Sequence, residues 1–384
     1  MEIYQRDFTP PEKSFFLFGP RGTGKSTLMR MLFEDGLWLD LLKPDVFRSY
    51  LAKPERLFDL ASANSNRRPI IIDEIQKIPA LLTVVHSLIE TLPGQQFILT
   101  GSSARKIKRS GADLLAGRAL NCSLHPFLAH ELGADFDLSI ALKQGMLPII
   151  QSDKSPQLSL QSYVQLYLLE EIQAEGLVRN LDSFARFMEV ISFSHASLLN
   201  VANIARECEV KRKTVENYIQ ILEDLLLAFT LPVFTKRAQR EMVAHPKFYL
   251  FDAGVYHTIR PTGQLDRPEE VGGTALEGLV AQHLLAWNAY SAQPATLSYW
   301  RTRTGLEVDF IVYGTQGLYA LEVKHHHRVD RHDLKSLHAF KTDYPMAQCF
   351  ILYQGKEQLM IEGVLCLPCD VFLKQLRPDK PLWE

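Results

Sequence analysis

The chain passes from Phe15-Phe16-Leu17-Phe18 into Gly19-Pro20-Arg21-Gly22-Thr23-Gly24-Lys25-Ser26 and on through Thr27-Leu28-Met29-Arg30-Met31-Leu32-Phe33. Four consecutive apolar residues predict a buried strand. The G-x-x-x-x-G-K-S run predicts a phosphate-binding turn, and the residues after it a helix. Glycines free the backbone of the turn so that successive N–H groups can converge on an anion. The helix that follows aims its positive end at the same point. Gly19 to Ser26, with Thr27 next, are therefore the expected nucleotide-binding residues. Lys25 is expected to bridge the β- and γ-phosphates and Ser26 to ligate Mg²⁺.

Working outward, short apolar runs recur at 37–41 (LWLDL), 70–73 (IIID), 97–101 (FILTG) and 120–124 (LNCSL), separated by helix-sized gaps. That alternation predicts an α/β domain with a parallel sheet. The run Ile70-Ile71-Ile72 delivers Asp73 and Glu74 to the carboxyl edge of the sheet, where open α/β sheets bind ligands. Asp73 is expected to hold Mg²⁺ through water, and Glu74 to act as general base toward the attacking water. Thr100 or Ser102, at the end of the strand expected between the two motif strands, is a candidate for orienting that water; a simple turn former is the alternative. Arg118 stands just before the last strand, where it can serve a site or merely pair with Asp113.

The remainder changes character twice. Residues 161–175, 183–193, 200–208 and 214–228 carry helical spacing. After Pro232 the segments KFYLFDAG, LSYWR, LEVDFIVY, LYALEVK and QCFILY read as strands, with a helix over 275–290. The expected division is 1–135, 136–240 and 241–384. Val215, Tyr218, Ile219, Leu222, Leu225 and Leu226 form one apolar helix face. The short helix before it, with Ile204, Ala205 and Cys208, completes a helix-turn-helix pattern. Lys211, Arg212, Lys213 and Asn217 sit at the start of its second helix, the place that meets DNA in such pairs. A purely structural lid is the alternative. Arg105-Lys106-Lys108-Arg109 and Lys236-Arg237-Arg240 are further basic clusters, suited to a nucleic-acid groove or to a solvated face.

Near the end, Glu307-Val308-Asp309-Phe310-Ile311-Val312-Tyr313 and Leu318-Tyr319-Ala320-Leu321-Glu322-Val323-Lys324 flank a glycine-bounded break, which predicts a hairpin with Tyr313 facing Leu318. Counting back puts Asp309 opposite Glu322 and Glu307 opposite Lys324, all on one face. Opposed carboxylates with Cβ atoms about 4.5–5.5 Å apart repel, and a divalent cation would offset the repulsion. Asp309 and Glu322 are the expected metal ligands, with Lys324 beside them as a charge-stabilising group. The bland alternative is an exposed sheet face with a Glu307–Lys324 pair. His325, His326 and His327 can extend a metal site or simply end a strand.

Composition excludes several classes. Hydrophobic residues make up 46% and charged residues 22%, which rules out disorder. Lys and Arg total 42 against 44 Asp and Glu, so any nucleic-acid binding must come from local patches. Five cysteines without regular spacing exclude a disulfide framework, and Cys366-x-x-Cys369 lacks the partners of a zinc site. The start MEIYQRDFTPPEK has no signal-peptide core, and the most apolar stretch, Leu225 to Phe234, is too short to span a bilayer. A cytoplasmic protein without a membrane partner is expected.

The phrases GPRGTGKS, IIIDEIQKIP, ILTGSSARKI and LLAGRALNCSLHPFLAHEL resemble the AAA+-like prokaryotic ATP-binding proteins that carry a C-terminal domain of unknown function. KFYLFDAGV, ALEGLVAQHL and GLEVDFIV with LYALEVK fit that C-terminal domain. The resemblance implies an AAA+-type ATPase core that binds ATP and Mg²⁺, a winged-helix-like middle and a C-terminal domain similar to PD-(D/E)XK nucleases. It implies for Arg118 a reach into a neighbour's γ-phosphate, hence a homo-oligomer, a ring being one form of it. It implies for Glu277 the additional acid of a D…E-x-K site. Two functions are open: ATP-driven action on DNA (repair, branch migration or defence), or a nucleotide-controlled switch whose C-terminal domain binds without cutting.

Overall fold

The apolar runs of the first third become the strands β1 (Phe15–Phe18), β2 (Leu37–Asp40), β3 (Ile70–Asp73), β4 (Phe97–Gly101) and β5 (Leu120–Ser123) of one parallel sheet, in the order β2-β3-β4-β1-β5. This is a computed structural model; it describes residues 4–64, 68–102, 115, 117–168, 172, 181–236, 238–264 and 266–383. Every residue of β1, β3 and β4 is buried, because helices cover both faces of a parallel sheet. Helices α1 (Lys25–Leu32), α2 (Pro44–Ala52), α3 (Arg56–Ala63) and α4 (Leu81–Thr91) provide that cover. Leu81, Leu82, Val84, Val85 and Leu88 of α4 pack on Ile70, Ile72, Phe97 and Leu99 of the sheet. Strand β4 pairs with both β1 and β3, with Phe18 opposite Gly101 and Ile72 opposite Leu99. The carboxyl ends of the three central strands thus lie side by side.

This sheet belongs to one compact unit, Phe8–His125 with Glu223–Leu227; a second comprises Met1–Asp7, Pro126–Leu222 and Ala228–Glu384. The second unit opens with the short helices α5 (Ala129–Leu132), α6 (Leu138–Gln144), α7 (Pro148–Gln151) and α8 (Pro156–Ser162). There follow α9 (Leu181–Ser192), β6 (Ser197–Leu198), α10 (Val201–Glu207), α11 (Arg212–Asp224), β7 (Ala228–Leu231) and β8 (Lys247–Leu250). Strands β6, β8 and β7 form a small antiparallel sheet with β8 in the centre. On α11, Val215, Tyr218, Ile219 and Leu222 are buried, as the helical period requires. The turn into α11 has no glycine, and Glu209 itself adopts the left-handed conformation at φ 56°.

Next come α12 (Ala253–Ile259), the long α13 (Pro268–Tyr290), and β9 (Thr296–Arg301), β10 (Glu307–Gly314) and β11 (Gly317–Lys324). The chain ends with α14 (Lys335–Asp343), β12 (Gln348–Tyr353), β13 (Leu359–Ile361), β14 (Val364–Pro368) and α15 (Cys369–Gln375). Strands β9 to β14 make a mixed sheet, β13-β14-β12-β11-β10-β9. Residues on either side of position 240 share a core: Leu231 and Tyr249 pack with Leu276, Leu279, Phe310 and Leu321. The five cysteines are free, and Cys366 and Cys369 are buried. Among the described residues no helix is long and apolar enough to cross a membrane.

Candidate functional site

The phosphate loop links β1 to α1 and is shaped by two glycines. Any Cβ at Gly19 would lie 2.4 Å from the carbonyl oxygen of Leu124, so the loop can pass β5 only without a side chain there. Gly24 caps α1 in the left-handed region, φ 86°. Thr23 Oγ1 donates to Pro20 O at 2.9 Å and closes the turn. Lys25 is buried, and its ammonium donates to the carbonyls of Gly19 at 2.7 Å and Pro20 at 3.1 Å. Arg21 and Gly22 lie on the same loop, and Thr27 is exposed on α1.

Asp73 ends β3 only 3% exposed, and its Oδ1 accepts from Ser26 Oγ at 3.0 Å and from Thr100 Oγ1. Thr100 is fully buried, and its hydroxyl is directed at Asp73. These side-chain partners are hydroxyls, which bring no positive charge to the carboxylate. Ser26 and Asp73 are hard oxygen donors side by side, a set that fits Mg²⁺.

Glu74 is half-buried and left-handed, φ 62°, ψ 46°, a conformation costly for glutamate and concentrated at functional sites. Its Oε2 accepts from Gln76 Nε2 at 2.5 Å, and the same amide reaches Ser102 Oγ at 3.2 Å. A Cβ at Gly101 would fall 2.5 Å from Gln76 Oε1, so the glycine makes room for this amide. Gln76 escaped the sequence reading, although it lies two residues after Glu74. Arg118 is exposed and pairs with Glu90 of α4, Nη2 to Oε1 at 2.6 Å. Asp113, Ser103 and the cluster Arg105, Lys106, Lys108 and Arg109 lie outside the described residues.

In the second unit the hairpin register is as expected at its tip, with Tyr313 opposite Leu318 and Phe310 opposite Leu321. Beyond Phe310 the strands part: Asp309 turns its Oδ2 to the backbone N–H of Val323 at 2.9 Å, and the β9–β10 ladder shifts between Val308 and Ile311. Asp309, Glu322 and Glu277 are drawn together, and the centre of the group is held by a residue the sequence reading missed. Lys247 of β8, 2% exposed at its side chain, places Nζ 2.9 Å from Glu277 Oε1, 2.5 Å from Glu307 Oε1 and 3.0 Å from Asp309 Oδ1. Tyr249 donates to Glu277 at 2.6 Å.

The Glu307–Lys324 pair of the alternative reading does not form, because Glu307 binds Lys247 and Arg301 while Lys324 turns to Glu322 Oε1 at 2.8 Å. Burial opposes charge on Lys247, but Glu277 and its neighbouring acids outweigh it and hold the ammonium charged well above the usual lysine range. Burial, and then Asp309, push both Glu277 and Glu322 upward. Among the described residues no group of three or more His, Cys, Asp or Glu side chains is arranged to hold a metal ion. The residues expected to bind a divalent ion thus surround an ammonium, and as they stand they do not fit one. Nor do the histidines extend the group. His325 packs where a Cβ of Gly272 would be, His326 faces Asp333 at 3.4 Å, and His327 Nδ1 lies 2.8 Å from Gln354 O.

Lys211, Arg212, Lys213 and Asn217 are exposed, with Arg212 and Lys213 each paired to Glu216. Lys236 lies over the Tyr313 ring and Arg240 pairs with Asp343, while Arg237 is outside the described residues. Other shifted groups are structural. Burial lowers His195 to about 3 and His283 to about 4, and raises Asp252 to about 6, where it caps α12.

Residues 11–133 match the family described as an AAA domain; 137–266 match a domain of unknown function (DUF8612), and 272–372 a different domain of unknown function (DUF4143). The first unit thus has the sheet and phosphate loop of an AAA-type nucleotide-binding domain. No curated protein matches the chain. Among solved structures, the replication initiator DnaA bound to AMPPCP and single-stranded DNA aligns at 12% identity and TM-score 0.29, over 56% of this chain and 83% of its own. Protein VC1899 from Vibrio cholerae aligns at 11% identity and TM-score 0.21, over 95% and 96%. Likenesses this loose support no functional argument.

Proposed function

We propose that the chain is a Mg²⁺-dependent ATPase of AAA+ type. The observation that carries this reading is the convergence of Ser26 and Thr100 on one oxygen of Asp73, beside Lys25 and Glu74 at the carboxyl edge of the sheet. The loop N–H groups and α1 receive the phosphates, and Lys25 exchanges the carbonyls of Gly19 and Pro20 for them. Bound Mg²⁺ would neutralise phosphate charge, with Ser26 and Asp73 as its holders. Thr100 keeps Asp73 in place. Glu74 accepts the proton of the attacking water, and Gln76, tied to Ser102, sets the direction of that carboxylate. Lys25→Ala should abolish nucleotide binding or turnover. Glu74→Gln should bind ATP and fail to hydrolyse it, in a malachite-green assay alongside filter binding. Wild-type turnover by Glu74→Gln would remove the general-base assignment.

The order α9-β6-α10-α11-β7-β8, with helices first and the antiparallel strands around them, supports a winged-helix reading of the middle. The exposed Lys211, Arg212 and Lys213 favour DNA as what it meets. DNA should then stimulate ATP hydrolysis, and the stimulation should weaken as salt rises, because phosphate contacts release counterions. A second reading, a nucleotide-controlled switch with a C-terminal domain that binds without cutting, is favoured by the ammonium of Lys247 among the acids of the nuclease-like site.

A further inference from the structure

We infer that Lys247 is a built-in cation standing in a divalent-ion position, so that the cluster Glu277, Glu307, Asp309 and Glu322 is a latent divalent-cation site masked by the chain's own ammonium. An ammonium has three N–H donors, and those of Lys247 face three carboxylates from two elements, Glu277 of α13 and Glu307 and Asp309 of β10, within 2.5–3.0 Å. Four carboxylates meet three cations here, Lys247, Lys324 and Arg301. Without the lysine, the four carboxyl groups keep only Lys324 and Arg301 as cationic partners.

A second observation points to a ligand. Glu322 is 8% exposed, and its Oε2 is buried without a hydrogen-bond partner while Oε1 takes Lys324. Asp309 and Lys247 act on Glu322 electrostatically, so the spare oxygen belongs to this group. Carboxylate oxygens suit Mg²⁺, Mn²⁺ or Ca²⁺, and the contraction from ammonium to metal distances is below about 1 Å. The same lysine fixes β8 to α13 and β10, so masking the site and joining the two sheets are one act. This inference stands whether or not the phosphate loop hydrolyses ATP.

The test uses the full chain carrying Asp73→Asn, which removes cation binding at the phosphate loop, with Mn²⁺ counted by electron paramagnetic resonance and no nucleotide present. The chain with Lys247 intact should bind no Mn²⁺ at millimolar concentration. Adding Lys247→Met should create one site per chain, tighter than about 0.1 mM, and a further Asp309→Asn should remove it. Mn²⁺ binding with Lys247 intact that Asp309→Asn abolishes would overturn the inference, since the ammonium would then be displaceable. A folded Lys247→Met chain that binds no Mn²⁺ would overturn it too, reducing Lys247 to an ordinary ion pair. If Lys247→Met does not fold, Lys247→Gln gives the same test. If neither folds, folding rescued by Mn²⁺ supports the inference; without rescue, the chain with Lys247 intact decides alone.

Discussion

Asp73 and Asp309 both end up buried on sheets, and their surroundings give them opposite fates. Asp73 is held by two hydroxyls, Ser26 and Thr100, which orient the carboxylate and bring no positive charge to it. Asp309 shares one lysine ammonium with Glu277 and Glu307, and its other oxygen takes a backbone N–H. Orientation without neutralisation leaves a place for a cation, whereas neutralisation from within fills it. Two acids of similar burial, 3% and 7% exposed, thus differ in their partners and not in residue type.

The sharpest break in this comparison would come from Arg118. Its surface pair with Glu90 is screened by water and easily given up. If it completes a neighbouring subunit's phosphate site, as its place before β5 suggests, Arg118→Ala should lower turnover by about a thousandfold. Mixing that variant with Lys25→Ala should restore some activity, since one partner keeps an intact loop and the other the arginine. Full activity across a dilution series of the wild type would exclude the shared site.

Lys247→Met should come next, destabilising the second unit by about 3–5 kcal/mol, because it strands buried carboxylates without their counter-charge. Urea melts followed by fluorescence measure this. A loss below about 1 kcal/mol, the range of an exposed pair, would mean that the carboxylates do not depend on the ammonium.

The smallest effect separates burial from function. His283 accepts from Ala129 N–H, and its other ring nitrogen lies 2.8 Å from Leu279 O, so its lowered pKa of about 4 reflects burial in a satisfied position. The unfolded chain takes up a proton near pH 6.5 that the folded ring refuses. Stability due to this group is therefore lost as pH falls from 6.5 toward 4. His283→Gln, which keeps both hydrogen bonds, should gain on the wild type by about 1.4 kcal/mol per pH unit in that window. Thermal melts of both proteins across that pH window measure this, and a stability difference that stays constant from pH 6.5 to 4 would mean that His283 takes up the proton in the fold.

The phosphate-loop half of the molecule was legible because its chemistry is contiguous. Gly19 to Ser26 and Ile70 to Glu74 are continuous motifs, and the apolar runs around them mark the buried strands β1, β3 and β4 almost to the residue. Gln76 was hidden because its contacts, to Glu74 and Ser102, depend on a three-residue turn and a glycine 25 positions away. In the C-terminal half the hairpin turn fixed the register at Tyr313 and Leu318, but Asp309 abandons the ladder for Val323 N–H, which no alternation pattern encodes. Lys247 did leave a trace: it is the lone charge in Lys247-Phe248-Tyr249-Leu250, a strand every residue of which is buried. A lysine in such a strand must have a counter-charge, and only the fold says that it is found 30 and 62 residues later.

The contrast between the two acids reduces to where the chain takes up a divalent ion. Mn²⁺ stoichiometry of the full chain, measured by electron paramagnetic resonance with a non-hydrolysable ATP analogue, tests it most directly. The expected result is one Mn²⁺ per chain, abolished by Asp73→Asn and untouched by Asp309→Asn. Two ions per chain, or one ion lost with Asp309→Asn and retained with Asp73→Asn, would contradict it.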